Sequence, residues 1–439
     1  MNAAAKKIAA IAVILVIVVA GIAVFVSSGN DEEKGKMDME ASLPVYGNAD
    51  GDYTIDDEDL AIVENVLNKV EGYTLEAYPY ADTDHDGEIT QEDVDLLKKI
   101  LDKEPCIVYH GMNDGNGGWK IISTSWPIKL AATSANPQLL MIEKMAGIVE
   151  DHIVGVSVSK DYGVDPYLYP TLQGMKSLGA SHSVFDEELV SECKTKNDIS
   201  AIFTSSNIKN MDAIERMGVD VIRMDQMTAN IDRFVSQILL LGFLFDENNQ
   251  AVEIGKWSED LLAFMDGKLA TLSDDQKMTA VLNVGQAGTL TYKGSNYVSV
   301  LLQAGALYPP ELDVSSTPAI GDWIYTMDFD KIMCMRNSTD GNSWYGGNPD
   351  YAHYFEAVYN TLSLTQPYID GEVYVIGLDM PLPIRIAYFS QALYPELYGE
   401  GWADGMHQEF IDRFFEEDFD VSELNFLLCL KDYEDKLPF

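Results

Sequence analysis

From about residue 107 onward, the chain is a succession of short apolar runs, amphipathic stretches and turns that contain glycine. Seven runs have the length and composition of strands: 129–133, 152–158, 200–205, 219–224, 279–284, 331–336 and 372–377. Between them, segments such as 137–147 and 185–194 repeat apolar residues every three or four positions, as helices do. This alternation predicts an α/β architecture with largely parallel sheets, because a parallel strand pair needs a crossover and a helix supplies it. The stretch 229–274 breaks the alternation. Its segments NIDRFVSQILLLGFLF and KWSEDLLAFMDGKLATL are helical in pattern, and strand–helix units lie on both sides. The expected body is two α/β lobes, 107–228 and 275–439, joined by a long helix.

Residues 45–104 follow a different rule. Acidic residues recur on alternate positions in NADGDYTIDDED at 48–59 and again in DTDHDGEITQED at 82–93. A hard cation such as calcium takes about six to eight oxygens, and a twelve-residue loop supplies them from positions 1, 3, 5, 7, 9 and 12. In the first loop these positions are Asn48, Asp50, Asp52, Thr54, Asp56 and Asp59. In the second they are Asp82, Asp84, Asp86, Glu88, Thr90 and Asp93. Ile55 and Ile89 occupy the same apolar slot, and each loop runs into an amphipathic helix, at 60–70 and 94–101. An acidic surface loop that binds nothing would not repeat in tandem with the same apolar slot and the same following helix. The reading is a small all-α domain holding two calcium ions. Gly87 stands where such a loop turns sharply, and Tyr53 replaces it in the first loop. Backbone strain, and weaker binding there, are expected if that position needs a positive φ.

The N-terminus is apolar. Lys6 and Lys7 precede an uncharged run over 8–26. At about 1.5 Å per residue it is long enough to cross the hydrocarbon core, and it exceeds the roughly 7–15 residues of a signal-peptide core. Lysine before the run and DEEK after it orient the bulk of the chain outside the cell. Residues 1–30 are therefore expected to be a single-pass membrane anchor. The alternative is a cleaved signal, which would leave a secreted protein. Residues 31–44 are read as a polar linker.

Composition narrows the chemistry. The 439 residues suffice for two or three domains, and 47% of them are hydrophobic. With 71 acids against 29 bases, the formal charge of -42 excludes nucleic acid as a partner. Cys106, Cys193, Cys334 and Cys429 stand far apart without a CxxC, which argues against a metal cluster or a disulfide framework. No nucleophile elbow, zinc-protease helix, Walker loop or dinucleotide turn is present, and the six histidines show no ligand spacing. No enzyme chemistry is predicted.

Two resemblances follow from these patterns. Loop–helix repeats with Asp at position 12, over 45–103, resemble the dockerin module. That resemblance implies two calcium ions, calcium-dependent folding and docking to a cohesin-type partner. The lobe–helix–lobe order resembles the substrate-binding proteins of iron-siderophore and vitamin B12 ABC importers. It is carried by PIKLAATSANPQLLMIEKMAGIVEDHIVGV at 127–156, DISAIFTSS at 198–206, ERMGVDVIRM at 215–224 and GEVYVIGLDMPLPIRIAYFSQALYPELY at 371–398. It implies two Rossmann-like lobes of the class III type, with an iron chelate, a corrinoid or another tetrapyrrole in the cleft. It also implies docking to an ABC permease through an acid on each lobe, Glu187 or Glu188 on the first and Asp322 on the second. In open α/β sheets ligands lie beyond the carboxyl ends of the strands. The loops that qualify are 133–136, 159–169, 285–297, 336–348 and 378–385. Within them, Tyr162, Tyr167, Tyr292, Trp344 and Tyr345 are the expected aromatic walls. Arg336 and Arg385 are the expected partners of an anionic ligand. Two rival readings accompany the dockerin resemblance: an extracellular carbohydrate-active enzyme, and a cell-surface adhesion protein.

Overall fold

The computed structural model describes residues 41–114, 119–158, 164–181, 183–224, 230–284, 289–319, 321–338, 341–415 and 417–439. The apolar run 8–26 lies outside them. Among the described residues no helix is long and apolar enough to cross a membrane.

The strands are β1 (Cys106–Asn113), β2 (Trp119–Trp126), β3 (Ala131–Ser134), β4 (Ile153–Ser157), β5 (Gly179–Ser181), β6 (Val184–Phe185), β7 (Ala201–Thr204), β8 (Asp220–Arg223), β9 (Ala280–Val284), β10 (Lys331–Arg336), β11 (Val373–Gly377) and β12 (Leu427–Cys429). Each of the seven strand candidates is a strand. The sheet of the first lobe has the order β4-β3-β7-β8 and is parallel throughout. That of the second has the order β12-β11-β10-β9, parallel except for β12, which runs antiparallel to β11. Every residue of β3, β7 and β10 is buried, which is why these strands read as unbroken apolar runs. The β1–β2 hairpin, paired from Cys106↔Trp126 to Asn113↔Trp119, was not anticipated. All four cysteines are free.

The bridge corrects the expected single long helix. Among the described residues, the helices of eight residues or more before it are α1 (Asp57–Leu67), α2 (Gln91–Leu101), α3 (Pro137–Met145) and α4 (Glu187–Asn197). The bridge is two helices, α5 (Ile231–Leu244) and α6 (Asn248–Leu269). The chain reverses between them, with Asp246 in the left-handed region at φ 59° and the Glu247 amide donating to Gly242 O at 2.7 Å. Gly242 lets the pair close tightly: a Cβ there would lie 3.0 Å from Ala251 Cβ. α6 then ties the lobes together. Gln250 Nε2 donates to Met145 O of the first lobe at 3.0 Å and to Phe414 O of the second at 3.3 Å. Beside it the buried Lys144 ammonium meets Glu150 at 3.0 Å and Glu417 at 2.8 Å.

The calcium-loop module is packed onto this body. Val45 pairs with His110 as an antiparallel bridge, the Tyr46 amide donates to Tyr109 O at 2.9 Å, and the Gly111 amide donates to Pro44 O at 3.0 Å. Lys103 meets Asp246 at 2.8 Å. Leu43, Val45 and Ile100 belong to the same core as Val108, Met112 and Trp126. The end of the expected linker is therefore no tether. Leu43 is buried, and the Ser42 amide donates to Ser236 Oγ of α5 at 3.2 Å. Once the chain enters this contact, its backbone pairs with β1 and its apolar side chains leave water.

His110 lies at that junction, fully buried, its ring nitrogens 3.0 Å from Gly111 O and 3.0 Å from Thr124 Oγ1. Burial pushes its imidazole down to about 4. The unfolded chain, with an ordinary histidine near 6.5, takes up the proton first. The contribution of this group is thus complete above about pH 6.5 and is lost as pH falls toward 4, at about 1.4 kcal/mol per pH unit. His110→Gln is expected to flatten the pH dependence of stability over that window by about one proton, measured by denaturant unfolding at a series of pH values. Identical slopes for the two proteins would refute the assignment.

Candidate functional site

The two acidic loops are built alike. Position 9 of each is the N-cap of the helix that follows. Asp56 caps α1 and accepts from the Glu58 amide at 2.7 Å, while Thr90 caps α2 and accepts from the Glu92 amide at 3.1 Å. Position 12 is the third residue of the helix, and its carboxylate reaches back. Asp59 accepts from the Asp56 amide at 2.8 Å and from the Asp50 amide at 3.1 Å. Asp93 accepts from the Thr90 amide at 2.7 Å and from the Asp84 amide at 3.2 Å. One short side chain thus closes the capping box and braces the loop across positions 3 and 9.

The loops fit a hard cation. In the second, carboxylate oxygens of Asp82, Asp84 and Asp86 lie within 4.8 Å of one another. Like charges at that distance repel unless a cation lies among them. Burial first, then neighbouring carboxylates, raise Asp82 and Asp84 above the usual range. In the first loop, Asn48 Nδ2 donates to Leu43 O at 2.8 Å and Asp52 O at 2.9 Å, leaving its Oδ1 buried with no partner. An orphaned oxygen at position 1 is what a calcium ligand needs to be. Asp50 is raised by burial, and burial pushes Asp59 up to about 7. The strain expected at Tyr53 is absent, since its φ is not positive. The first loop turns at Gly51 (φ 74°), the second at His85 (φ 55°) and Gly87 (φ 96°).

The second site is a cavity of about 360 Å³ between the lobes. Pro137 and Leu140 of α3 and residues Val164–Tyr169 line it from the first lobe; Ser338, Gly341–Ser343, Asn348 and Asp379 line it from the second. Asp165 holds its own turn and latches the lobes. Its Oδ1 accepts from the Tyr167 amide at 2.9 Å, and its Oδ2 accepts from Ser343 Oγ at 2.6 Å. Asp379 accepts from the Ser338 amide at 2.8 Å through Oδ2, while its Oδ1 is buried with no partner. The Tyr169 hydroxyl is likewise buried and unpartnered. Burial pushes Asp379 up to about 6 and raises Tyr169. Such groups suit a ligand that donates hydrogen bonds or carries positive charge.

Three of the five predicted loops, 159–169, 336–348 and 378–385, reach this region, but mostly through residues other than those singled out. Tyr167 lines the cavity, half-exposed, its ring lying against the backbone of Gly346. Tyr162 lies outside the described residues. Tyr292 is half-buried and does not line the cavity. Trp344 and Tyr345 are core residues of the second lobe: Trp344 stacks on Tyr354, and Tyr345 packs among His407, Phe419 and Phe426. Arg336 is buried and tied to Asn283 O and Met335 O, each at 3.0 Å, so it anchors β10 to β9 instead of facing the cleft. Arg385 is buried beside Gln138, Met141 and Phe234 and does not line the cavity, though its charge acts on Asp379. Glu187, Glu188 and Asp322 are exposed, and Glu187 accepts from Asn210 Nδ2 at 3.3 Å. Asp165, Tyr169 and Asp379 were missed. The one signal for Asp379 is an acid inside the apolar segment GLDMPLP, directly after a strand.

Comparison with known proteins supplies names for both parts. The dockerin type I domain model matches residues 46–102. No curated protein sequence matches the chain. The body is similar in structure to the TroA-like periplasmic binding protein FepB from Veillonella parvula, with 15% identity and a TM-score of 0.54 over 73% of this chain and 99% of that one. It is similar also to an ABC transporter solute binding protein from Sulfurospirillum deleyianum, with 15% identity and a TM-score of 0.51 over 72% of this chain and 98% of that one. A third likeness is to the molybdate periplasmic binding protein MolA from Haemophilus influenzae, with 14% identity and a TM-score of 0.52 over 68% of this chain and 96% of that one. All three neighbours are named as periplasmic or solute binding proteins. Residues 46–102 are thus a dockerin type I domain, a calcium-binding module, and the body that follows has the fold of the TroA-like periplasmic solute-binding proteins.

Proposed function

We propose that this chain captures a solute outside the membrane for an ABC importer, in the cleft between its lobes, and carries no catalytic activity. The observation that carries the reading is the cleft: Asp379 and Tyr169 are among the residues lining one interlobe cavity, and Asp379 Oδ1 and the Tyr169 hydroxyl are buried without a hydrogen-bond partner. A buried polar group left unpaired costs about 1–3 kcal/mol, which a complementary ligand removes. The ligand is an iron chelate or a corrinoid or other tetrapyrrole. A cavity of about 360 Å³ is near the low end of the range of roughly 300–1,000 Å³ for ligand sites and favours the compact chelate. Its described lining holds two carboxylates and no Lys, Arg or His. The favoured chelate therefore presents ammonium, hydroxyl or amide donors, not free carboxylates. The exposed Glu187 and Glu188 on one lobe and Asp322 on the other are offered to basic sockets of the permease, and the run 8–26 keeps the chain at the membrane. The dockerin domain holds two calcium ions and offers its free face to a cohesin-type partner.

Titration of the full-length chain with a ferric trihydroxamate bearing a free ammonium, ferric citrate, cobalamin and haem tests the ligand. One-to-one binding of the first is expected, with ferric citrate at least tenfold weaker. Asp379→Asn is expected to lower affinity for the ammonium-bearing chelate about tenfold, the loss of one charge-assisted contact. If the folded chain binds none of the four, the solute reading is wrong.

Calorimetric titration of the calcium-stripped chain is expected to give two sites. Asp84→Asn combined with Asp86→Asn should leave one. A wild-type count below two would contradict the assignment of an ion to each loop.

A further inference from the structure

The first calcium loop touches the solute-binding body through a residue that the cation does not use. Tyr53 stands at position 6, between Asp52 and Thr54, both expected ligands. Its ring lies against α6 at Gly255, where a Cβ would come within 2.7 Å of the ring. Glycine at that point is what lets the helix approach so closely. The Tyr53 hydroxyl donates to the Glu259 carboxylate, one turn further along α6. Because Asp52 and Thr54 flank it, any change in the shape of the cage moves this ring.

What Tyr53 grips is the element that joins the lobes. α6 reaches α3 of the first lobe and the end of the last long helix, Trp402–Phe414, of the second through Gln250. Trp257 Nε1 adds a 2.9 Å hydrogen bond to Glu409 of that same helix. α3 in turn lines the cleft with Pro137 and Leu140.

Charge makes the contact conditional. Asp50, Asp52, Asp56 and Asp59 lie on the loop side; Glu259 and Asp232 lie on the bridge side, close enough to act on the Tyr53 hydroxyl. No described basic side chain pairs with Asp232 or Glu259 across this contact. Tyr53 thus stands between the loop's carboxylates and the pair Asp232 and Glu259, which act on each other and on its hydroxyl. A divalent cation seated in the loop cancels charge on one side and lets the surfaces stay together.

We propose that calcium in the first loop acts as a clamp on the bridge: the occupied loop holds Tyr53 against α6 and stabilises the two-lobed body, and its loss loosens α5 and α6. The module is then a structural part of the binding protein and not a passenger. The clamp does not depend on which solute the cleft takes.

Hydrogen exchange on the full-length chain, calcium-saturated or stripped with EDTA, tests this. In the wild type, stripping is expected to speed exchange across 231–269 at least tenfold. Tyr53→Ala should shrink that response at least threefold while a calcium titration still finds the loop occupied. Tyr53→Phe, which keeps the ring on Gly255, should retain most of the response and covers the case in which the alanine variant fails to fold. Asp84→Asn with Asp86→Asn, confined to the second loop, should leave the bridge responsive. Exchange over 231–269 that ignores calcium in the wild type, or that responds undiminished in Tyr53→Ala, would overturn the clamp.

Discussion

A buried carboxylate is stable only where something answers it, and in a chain with 71 acids and 29 bases that constraint organises the whole molecule. Backbone amides answer some: Asp59 and Asp93 each accept two, and the same contacts start α1 and α2. Scarce lysines answer others. Glu372 is pushed up by burial, but hydrogen bonds from Lys431, Lys331 and Tyr374 outweigh this and hold it down to about 2. Lys144 serves two acids from opposite lobes. Where the answer is incomplete, candidate sites lie: the crowded carboxylates of the loops, which suit a cation, and Asp379, whose Oδ2 is held by the Ser338 amide while its Oδ1 has no hydrogen-bond partner.

The same constraint explains how the parts are joined. The module is rich in acids, yet it shares a core with β1 and β2 and pairs its backbone with His110 and Tyr109. Burial of Leu43, Val45 and Ile100 supplies the attraction, at about 25 cal/mol per Å² of apolar surface removed from water. On the proposed clamp, a cation in the first loop adds to that attraction at Tyr53. Cutting the chain after the module would leave Val108, Met112 and Trp126 without part of their cover.

Much of this was legible in the residues. Strands buried on both faces announce themselves as apolar runs, and β10 matches its expected bounds, 331–336, at both ends. The calcium loops were legible because ligand spacing is local and repeats. The cleft was legible only as a set of loops. Trp344, Tyr345 and Arg336 have the composition of a ligand wall, but a large aromatic or an arginine fills a core equally well when backbone carbonyls and neighbouring rings are in reach. Asp165 and Asp379 could not be chosen among so many acids. The bridge hairpin turns on one left-handed residue, Asp246, that helical periodicity does not reveal. The contact of Tyr53 with Gly255 joins positions some two hundred residues apart by a surface fit, and nothing in either segment points to the other.

If the first loop clamps the bridge, the calcium module and the two lobes unfold as one cooperative structure. Differential scanning calorimetry of the full-length chain, with calcium and with EDTA, tests it most directly. A single transition is expected in calcium, with calorimetric and van't Hoff enthalpies in agreement, and it moves down as a whole when calcium is removed. Two separate transitions, with calcium shifting only the smaller, would contradict it.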